Sequence, residues 1–308
     1  MIERPRMDPA TKELVYGRRI EPPTVDVARC TGCGSCVKEC PAHLFEVRDK
    51  KSTVVAGESC IGCGHCWAVC PERAVDQQGS SAPEEADFPE EPVVSAEEIA
   101  TFLGQRRSVR RFKSQPIERE LLERVARAAR HAPTGSNRQN VGIIVVPTAK
   151  QVAELRELTE QFMLGMFKKL QNPIVAKLVA WKTGPRTIPY MKGFADRLRW
   201  LMSIDRKSPY FALPFGSAVL VAHADSDDAS GATNAVLALH TASLMAQAEG
   251  LGACYLGFVA AGAAMDKRIK AWLRVPKGQT CSAAIVLGYP ETKYLRPVGR
   301  LGPTVTWV

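Results

Sequence analysis

CTGCGSCVKECP, Cys30–Pro41, and CIGCGHCWAVCP, Cys60–Pro71, are two versions of one twelve-residue stretch set thirty positions apart. Seven positions agree between them: four cysteines, two glycines and the closing proline. Sulfurs spaced two residues apart face one centre only if the backbone coils tightly, and Gly32, Gly34, Gly62 and Gly64 permit that coil. Pro41 and Pro71 then fix the direction of the departing chain. Eight of the ten cysteines lie between Cys30 and Cys70, so Cys254 and Cys281 belong to something else.

The spacing C-x2-C-x2-C-x3-C-P is the bacterial ferredoxin pattern, in which three close thiolates hold one face of a [4Fe-4S] cube and the fourth ligates the other cluster. Its duplication predicts two cubes, one on Cys30, Cys33, Cys36 and Cys70, the other on Cys60, Cys63, Cys66 and Cys40. Structural zinc usually takes its ligands as two separated pairs rather than a triplet plus one. Clustered cysteines in a chain without a secretory signal do not read as a disulfide framework either. Electron transfer is the function class that remains.

The 308 residues carry a net charge of +9, unevenly spread. Residues 99–308 hold 30 basic and 14 acidic groups, whereas residues 79–98 hold seven acids and no base. The basic half contains no nucleic-acid module and no long basic block, which points to an anionic cofactor or an acidic redox partner. No uncharged apolar run approaches the roughly 18 residues of a membrane span. The expectation is a cytoplasmic protein that binds neither nucleic acid nor membrane. Its organisation reads as an irregular arm at 1–24, a two-cluster ferredoxin-like domain at 25–78, an acidic Pro/Ser linker at 79–94, and an α+β domain at 95–308.

Between the cysteine runs, HLFEVRDKKSTVVAGES alternates and turns as a hairpin with its tip at Asp49–Lys51. Ser95 followed by Glu98 is a capping box, predicting a helix start. Apolar spacing predicts a second helix over Ile117–His131. Strands are expected at Val141–Pro147, Ser217–Ala224, Ala253–Val259 and Cys281–Gly288, with a long, mostly buried Ala-rich helix at Ala232–Glu249 closed by Gly250.

Two polar segments stand out in this domain. QRRSVRRF, Gln105–Phe112, puts four arginines and a serine just before a helical stretch, and bidentate guanidinium donors suit a phosphate dianion. HAPTGSNRQN, His131–Asn140, is turn chemistry that presents backbone and amide donors. With them, the sequence resembles the nitroreductase family of FMN-dependent enzymes. The resemblance rests on Arg106, Arg107, Ser108, Arg110 and Phe112; on Ala132, Pro133, Asn137 and Gln139; on the Ala-rich helix ending in Gly250–Gly252; and on Gly288, Tyr289, Pro290, Arg296 and Arg300. It covers residues 98–308, and members fused to an N-terminal ferredoxin-like module form a recognised subgroup.

That resemblance implies a central antiparallel sheet flanked by helices, and a homodimer with flavin at its interface. It implies FMN with its phosphate held by Arg106, Ser108, Arg110 and Arg300, with Arg107 and Arg296 nearby. Pro133, Thr134, Gly135, Ser136, Asn137 and Gln139 would contact the ring and ribityl chain. Tyr255, Leu256 and Gly257 would lie near N5, the flavin atom that carries the chemistry, so no side chain is named as catalyst. The family's turn often continues with proline and tryptophan, where this chain has Asn140 and Val141.

The expected activity is an oxidoreductase that passes electrons from ferredoxin, another redox protein or NAD(P)H through the clusters to FMN and on to a small electron-poor acceptor. The alternatives are an electron-transfer subunit without its own substrate and a reductive dehalogenase or flavin-modifying relative. The aromatic, basic stretch 161–215 reads equally well as a substrate lid and as helix packing.

Overall fold

A computed structural model describes residues 5–7, 14–16, 21–76, 89, 93–184, 186–190, 192, 193, 196, 200 and 216–308. Most of the expected arm and nearly all of the expected linker lie outside the described residues, as do Phe194, Tyr210 and Phe211 of the aromatic stretch. Packing divides the chain into two units, Met1–Glu90 with Pro133–Asn140, and Glu91–Ala132 with Val141–Val308.

In the smaller unit, β1 (Pro5–Met7) pairs antiparallel with β2 (Leu14–Tyr16). There follow β3 (Thr24–Val25), α1 (Ser35–Glu39), β4 (Phe45–Arg48), β5 (Lys51–Val54), α2 (His65–Ala68) and β6 (Val75–Asp76). The hairpin expected between the cysteine runs is β4–β5, in register Phe45↔Val54 to Arg48↔Lys51. Its two-residue tip puts Asp49 and Lys50 at positive φ, the backbone twist that two-residue hairpins favour. β3 and β6 close the unit by pairing antiparallel. Each cysteine run feeds its short helix through a left-handed glycine, Gly34 at φ 76° and Gly64 at φ 79°. The core is small: Leu44, Phe45 and Val75 share it with Cys36, Cys40 and Cys66. A unit this size buries little apolar surface, and metal sites commonly supply the missing cohesion.

The larger unit is built on one antiparallel sheet in the order β7 (Gly142–Val146), β8 (Ala218–Asp225), β10 (Gln279–Gly288), β9 (Gly252–Tyr255). β8 and β10 are buried on both faces, and their side chains alternate between two cores. Leu220, Ala222, Ile285 and Leu287 meet α4 (Arg119–Ala128) and α7 (Gly231–Ala248) on one side. Val219, Val221, Ala284 and Val286 meet α5 (Ala149–Leu170), α8 (Gly257–Met265) and α9 (Lys267–Trp272) on the other. α3 (Ala96–Gln105) starts at the expected capping box: the Glu98 amide donates to Ser95 Oγ at 3.2 Å, and the Ser95 amide to Glu98 Oε2 at 2.8 Å. α6 (Pro173–Thr183) follows α5. Alanines 235, 238, 242 and 246 let α7 lie close on the sheet, while Val236, Leu237 and Met245 on its other side are 43, 38 and 38% exposed.

One element differs from expectation. Ala253–Val259 is not a single strand: β9 ends at Tyr255 and α8 begins at Gly257. Leu256 turns the corner, its amide donating to the Ala284 carbonyl at 2.8 Å.

Candidate cluster cavities and flavin site

All ten cysteines are free thiols, and eight of them line two cavities in the smaller unit. Cys30, Cys33, Cys36 and Cys70 surround the first; Cys40, Cys60, Cys63 and Cys66 surround the second. Each cavity therefore takes three sulfurs from one run and the fourth from the other, the crossed grouping that the spacing implies. The sulfurs ring a space rather than converge on a point. Among the described residues, no three His, Cys, Asp or Glu side chains are placed to hold a single ion. Backbone amides already point at these sulfurs, from Ser52 to Cys30 at 3.3 Å, Leu44 to Cys40 at 3.4 Å, Gly62 to Cys60 at 3.3 Å and Ala74 to Cys70 at 3.2 Å. Such bonds stabilise sulfur that carries negative charge. The donor set, eight thiols in fours with amides behind them, fits iron–sulfur cubes. Hydrogen bonding by Ser35 lowers the pKa of the exposed Cys33. Burial pushes that of Cys66 up to about 11.

The arginine segment of the larger unit is placed by the sheet. Ser108 bridges Ala253 in parallel and Phe112 bridges Pro290 in antiparallel fashion. The Val109 amide donates to the Ala253 carbonyl at 3.0 Å and the Lys113 amide to the Tyr289 carbonyl at 2.9 Å. This approach explains two glycines that sequence could only record as motif. A Cβ on Gly252 would sit 2.7 Å from Val109 Cβ, and one on Gly288 would sit 2.7 Å from Phe112 Cδ1. The segment so held opens onto a cavity of about 200 Å³ lined by Arg106, Ser108, Ser243, Gln247, Tyr255 and Tyr294.

The charges around this cavity are positive. Burial raises the pKa of Cys254, opposed by the Arg110 charge and by hydrogen bonding from Ser108. Desolvation likewise raises Tyr255, opposed by Ser243 and by the Arg106 charge. Arg106 and Ser108 thus line the cavity at the end of β9, and Arg110 Nη1 donates to the Ser108 carbonyl at 3.1 Å. Arg300 Nη2 reaches the Arg106 carbonyl at 3.5 Å. This donor set fits a phosphate.

Residues 103–289, more than half of the chain, match the family model described as the nitroreductase family. The chain belongs to the nitroreductase family. Members of this family are FMN-dependent oxidoreductases. Residues 29–75 match the 4Fe-4S dicluster domain. Iodotyrosine deiodinase from Haliscomenobacter hydrossis is 27% identical over 130 residues, 42% of this chain, and the match spans 56% of that protein's length. Among solved structures, a nitroreductase with bound FMN from Bacteroides fragilis superposes with a TM-score of 0.50 at 18% identity, covering 68% of this chain and 98% of that one, and shares the fold. An FMN-bound nitroreductase from Desulfitobacterium hafniense gives 0.47 at 20% identity over 68% and 97%.

In this chain the remaining residues named from sequence fall in three places. Arg107 serves structure, its Nη1 donating to the carbonyls of Gly104 at 2.7 Å and Arg106 at 2.9 Å, and its Nη2 to that of Arg296 at 3.1 Å. Its Nε is buried without a hydrogen-bond partner among the described residues. Leu256 and Gly257 form the corner into α8, with Gly257 as the first helical residue. Pro133, Thr134, Gly135, Ser136, Asn137 and Gln139 lie in the segment that packs with the smaller unit. Ser136, Asn137 and Gln139 all have φ near +50°, which costs about 1–3 kcal/mol per residue. Side chains hold the strained turn: the Gln139 amide donates to Thr134 Oγ1 at 3.0 Å and Gln139 Nε2 to Asn137 Oδ1 at 2.9 Å. Asn137 Nδ2 in turn donates to the carbonyls of Ile61 at 3.2 Å and Gly62 at 2.9 Å, inside the second cysteine run.

Ser243 and Gln247, which line the cavity beside Arg106, were not anticipated from sequence. Their signal was two polar residues four apart on an alanine-rich helix. His240 joins them, its Nδ1 3.4 Å from the Tyr255 hydroxyl. In the aromatic stretch, Met163 and Phe167 are buried with Leu170, whereas Trp181 is 85% exposed.

Proposed function

We propose that this chain is an iron–sulfur flavoprotein that carries electrons from a one-electron donor such as ferredoxin through two [4Fe-4S] clusters to FMN, for reduction of a small electron-poor organic acceptor. Cys30, Cys33, Cys36 and Cys70 hold one cluster; Cys60, Cys63, Cys66 and Cys40 hold the other. When bound, the clusters handle single electrons and FMN pairs two of them for delivery from N5. Arg106, Ser108, Arg110 and Arg300 neutralise and orient the phosphate. The Pro133–Gln139 turn positions the ring and ribityl chain, and the Tyr255–Gly257 corner presents a backbone amide towards N5. The observation that carries the reading is the pair of four-thiol cavities, each taking three sulfurs from one cysteine run and the fourth from the other.

The apolar side chains on the outer face of α7 support a homodimer, and eight free thiols suit a reducing cytoplasm. No helix among the described residues is long and apolar enough to cross a membrane. A second reading, reductive dehalogenation, is favoured by the likeness to iodotyrosine deiodinase. There, two electrons and a proton would replace a carbon–halogen bond with carbon–hydrogen and release halide. An anaerobic screen of nitroaromatics, quinones, enones and halophenols, with reduced ferredoxin and NAD(P)H compared as donors, separates these readings. Turnover of none of the four classes with either donor would leave the chain as an electron-transfer subunit.

A further inference from the structure

The two thiol cavities come from repeated sequence, yet their walls differ. Thr31, Ser35 and Ser52 stand around the first; Pro41, Ala42, Leu44, Ile61 and His65 stand around the second. In the repeat, Thr31 corresponds to Ile61 and Ser35 to His65, so the first run's two hydroxyls are missing from the second. The third hydroxyl comes from the hairpin. Ser52, 4% exposed on β5, sets its Oγ 3.1 Å from Cys36 Sγ and its amide 3.3 Å from Cys30 Sγ. Beside it, Lys51 Nζ donates to the Cys30 carbonyl at 2.5 Å.

A ligating thiolate only accepts hydrogen bonds, so with a cluster in place Ser52 must donate. Donors to cluster sulfur favour the reduced state, which carries one more negative charge, and hydrogen bonding to the sulfurs is among the factors that set a cluster's potential. Glu72 also borders the first cavity and acts in the opposite sense, but it is exposed and screened by water, while Ser52 is buried. We infer that Ser52, with Thr31 and Ser35, makes the two clusters unequal: the cluster on Cys30, Cys33, Cys36 and Cys70 has the higher potential and takes the first electron. The step is a one-electron reduction of the cube by an external donor, with no bond made or broken. The inference rests on the two-cluster reading above and extends it by ordering the clusters.

The test is an EPR-monitored potentiometric titration of the anaerobic holoprotein with dithionite, at pH 8 to keep histidine uncharged. Wild type should reduce in two steps. Ser52→Ala should shift the reduced-to-oxidised ratio of the earlier step towards oxidised by up to about tenfold, because the hydrogen bond is stronger to the more negative state and its whole worth is of about that size, or up to about 59 mV for one electron. The later step should stay put, and Ser52→Thr should restore the first. Unchanged midpoints at full iron content, or movement of the later step alone, overturn the inference. If Ser52→Ala assembles only one cluster, Ile61→Thr reads the same claim from the other side: it should raise the later midpoint, and no movement overturns the proposal. Wild type lacking iron would instead remove the two-cluster reading itself.

Discussion

Gly252→Ala tests whether the contact between β9 and the arginine segment builds the anion cradle. The new Cβ would lie 2.7, 2.8 and 2.8 Å from Val109 Cβ, Cγ1 and Cγ2. Carbon pairs settle at about 3.5–4.0 Å, so the Ser108–Val109 backbone must retreat by roughly 0.8 Å or more. Gly252 does not have positive φ, so alanine adds crowding rather than backbone strain. Overpacking of this kind costs about 1–3 kcal/mol. Retreat also draws the Ser108 hydroxyl and its neighbouring arginines off the phosphate. Losing one charge-assisted hydrogen bond of about 1.5–3 kcal/mol weakens FMN binding by roughly 10- to 150-fold. The assay is titration of flavin-stripped protein with FMN, followed by quenching of flavin fluorescence. Adding Val109→Ala removes the obstructing methyls and should recover most of the affinity. Wild-type FMN affinity in Gly252→Ala, at unchanged cluster absorbance, would refute the reasoning.

Other perturbations separate the parts. Arg106→Ala with Arg110→Ala removes two charge-assisted contacts of about 1.5–3 kcal/mol each, so flavin should be lost on gel filtration while iron content is unchanged; retained flavin would place the phosphate elsewhere. Asn137→Ala removes two hydrogen bonds worth about 1 kcal/mol each and frees the strained turn, so flavin reduction through the clusters should slow several-fold while FMN stays bound. His223, 1% exposed and hydrogen-bonded through Nδ1 to Gln279, which itself donates to Asp225 at 2.9 Å, has its pKa lowered by burial. The unfolded chain then binds the proton more readily, so this group's stability is full above about pH 6.5, the ordinary imidazole value, and is lost as pH falls below it. Urea midpoints of wild type and His223→Gln should diverge between pH 7.5 and pH 5.5, with the wild type losing more; equal losses would count against the buried neutral ring.

The parts of this molecule written in local pattern were legible in its sequence. The capping box at Ser95 and Glu98, the hairpin about Asp49 and Lys50 and the alanine stripe of α7 each depend on residues within a few positions of one another. The crossed thiol cavities were legible for the same reason, because the repeat itself states which sulfurs belong together. The corner at Leu256 was not. Ala253–Val259 is one apolar run, and a short helix that is apolar on all sides has no periodicity to separate it from a strand. Nor were the contacts that join distant positions. Nothing near Ser52 says that it faces a sulfur 16 residues away, beyond a polar residue at an inward position of an alternating strand. Asn137 reaches a loop 75 residues distant, and its motif gives only its suitability for a turn. Gly252 and Gly288 read as motif letters until Val109 and Phe112 were found above them.

The central claim is that electrons reach the flavin by way of the thiol-held clusters. Rapid mixing of the anaerobic holoprotein with a reduced ferredoxin, with cluster EPR and flavin absorbance followed in time, tests it most directly. Cluster reduction should precede flavin reduction in wild type, and Cys33→Ser, which alters the exposed ligand of the first cavity, should delay the flavin phase without loss of FMN. Flavin that is reduced first, or at an equal rate in Cys33→Ser, would contradict it.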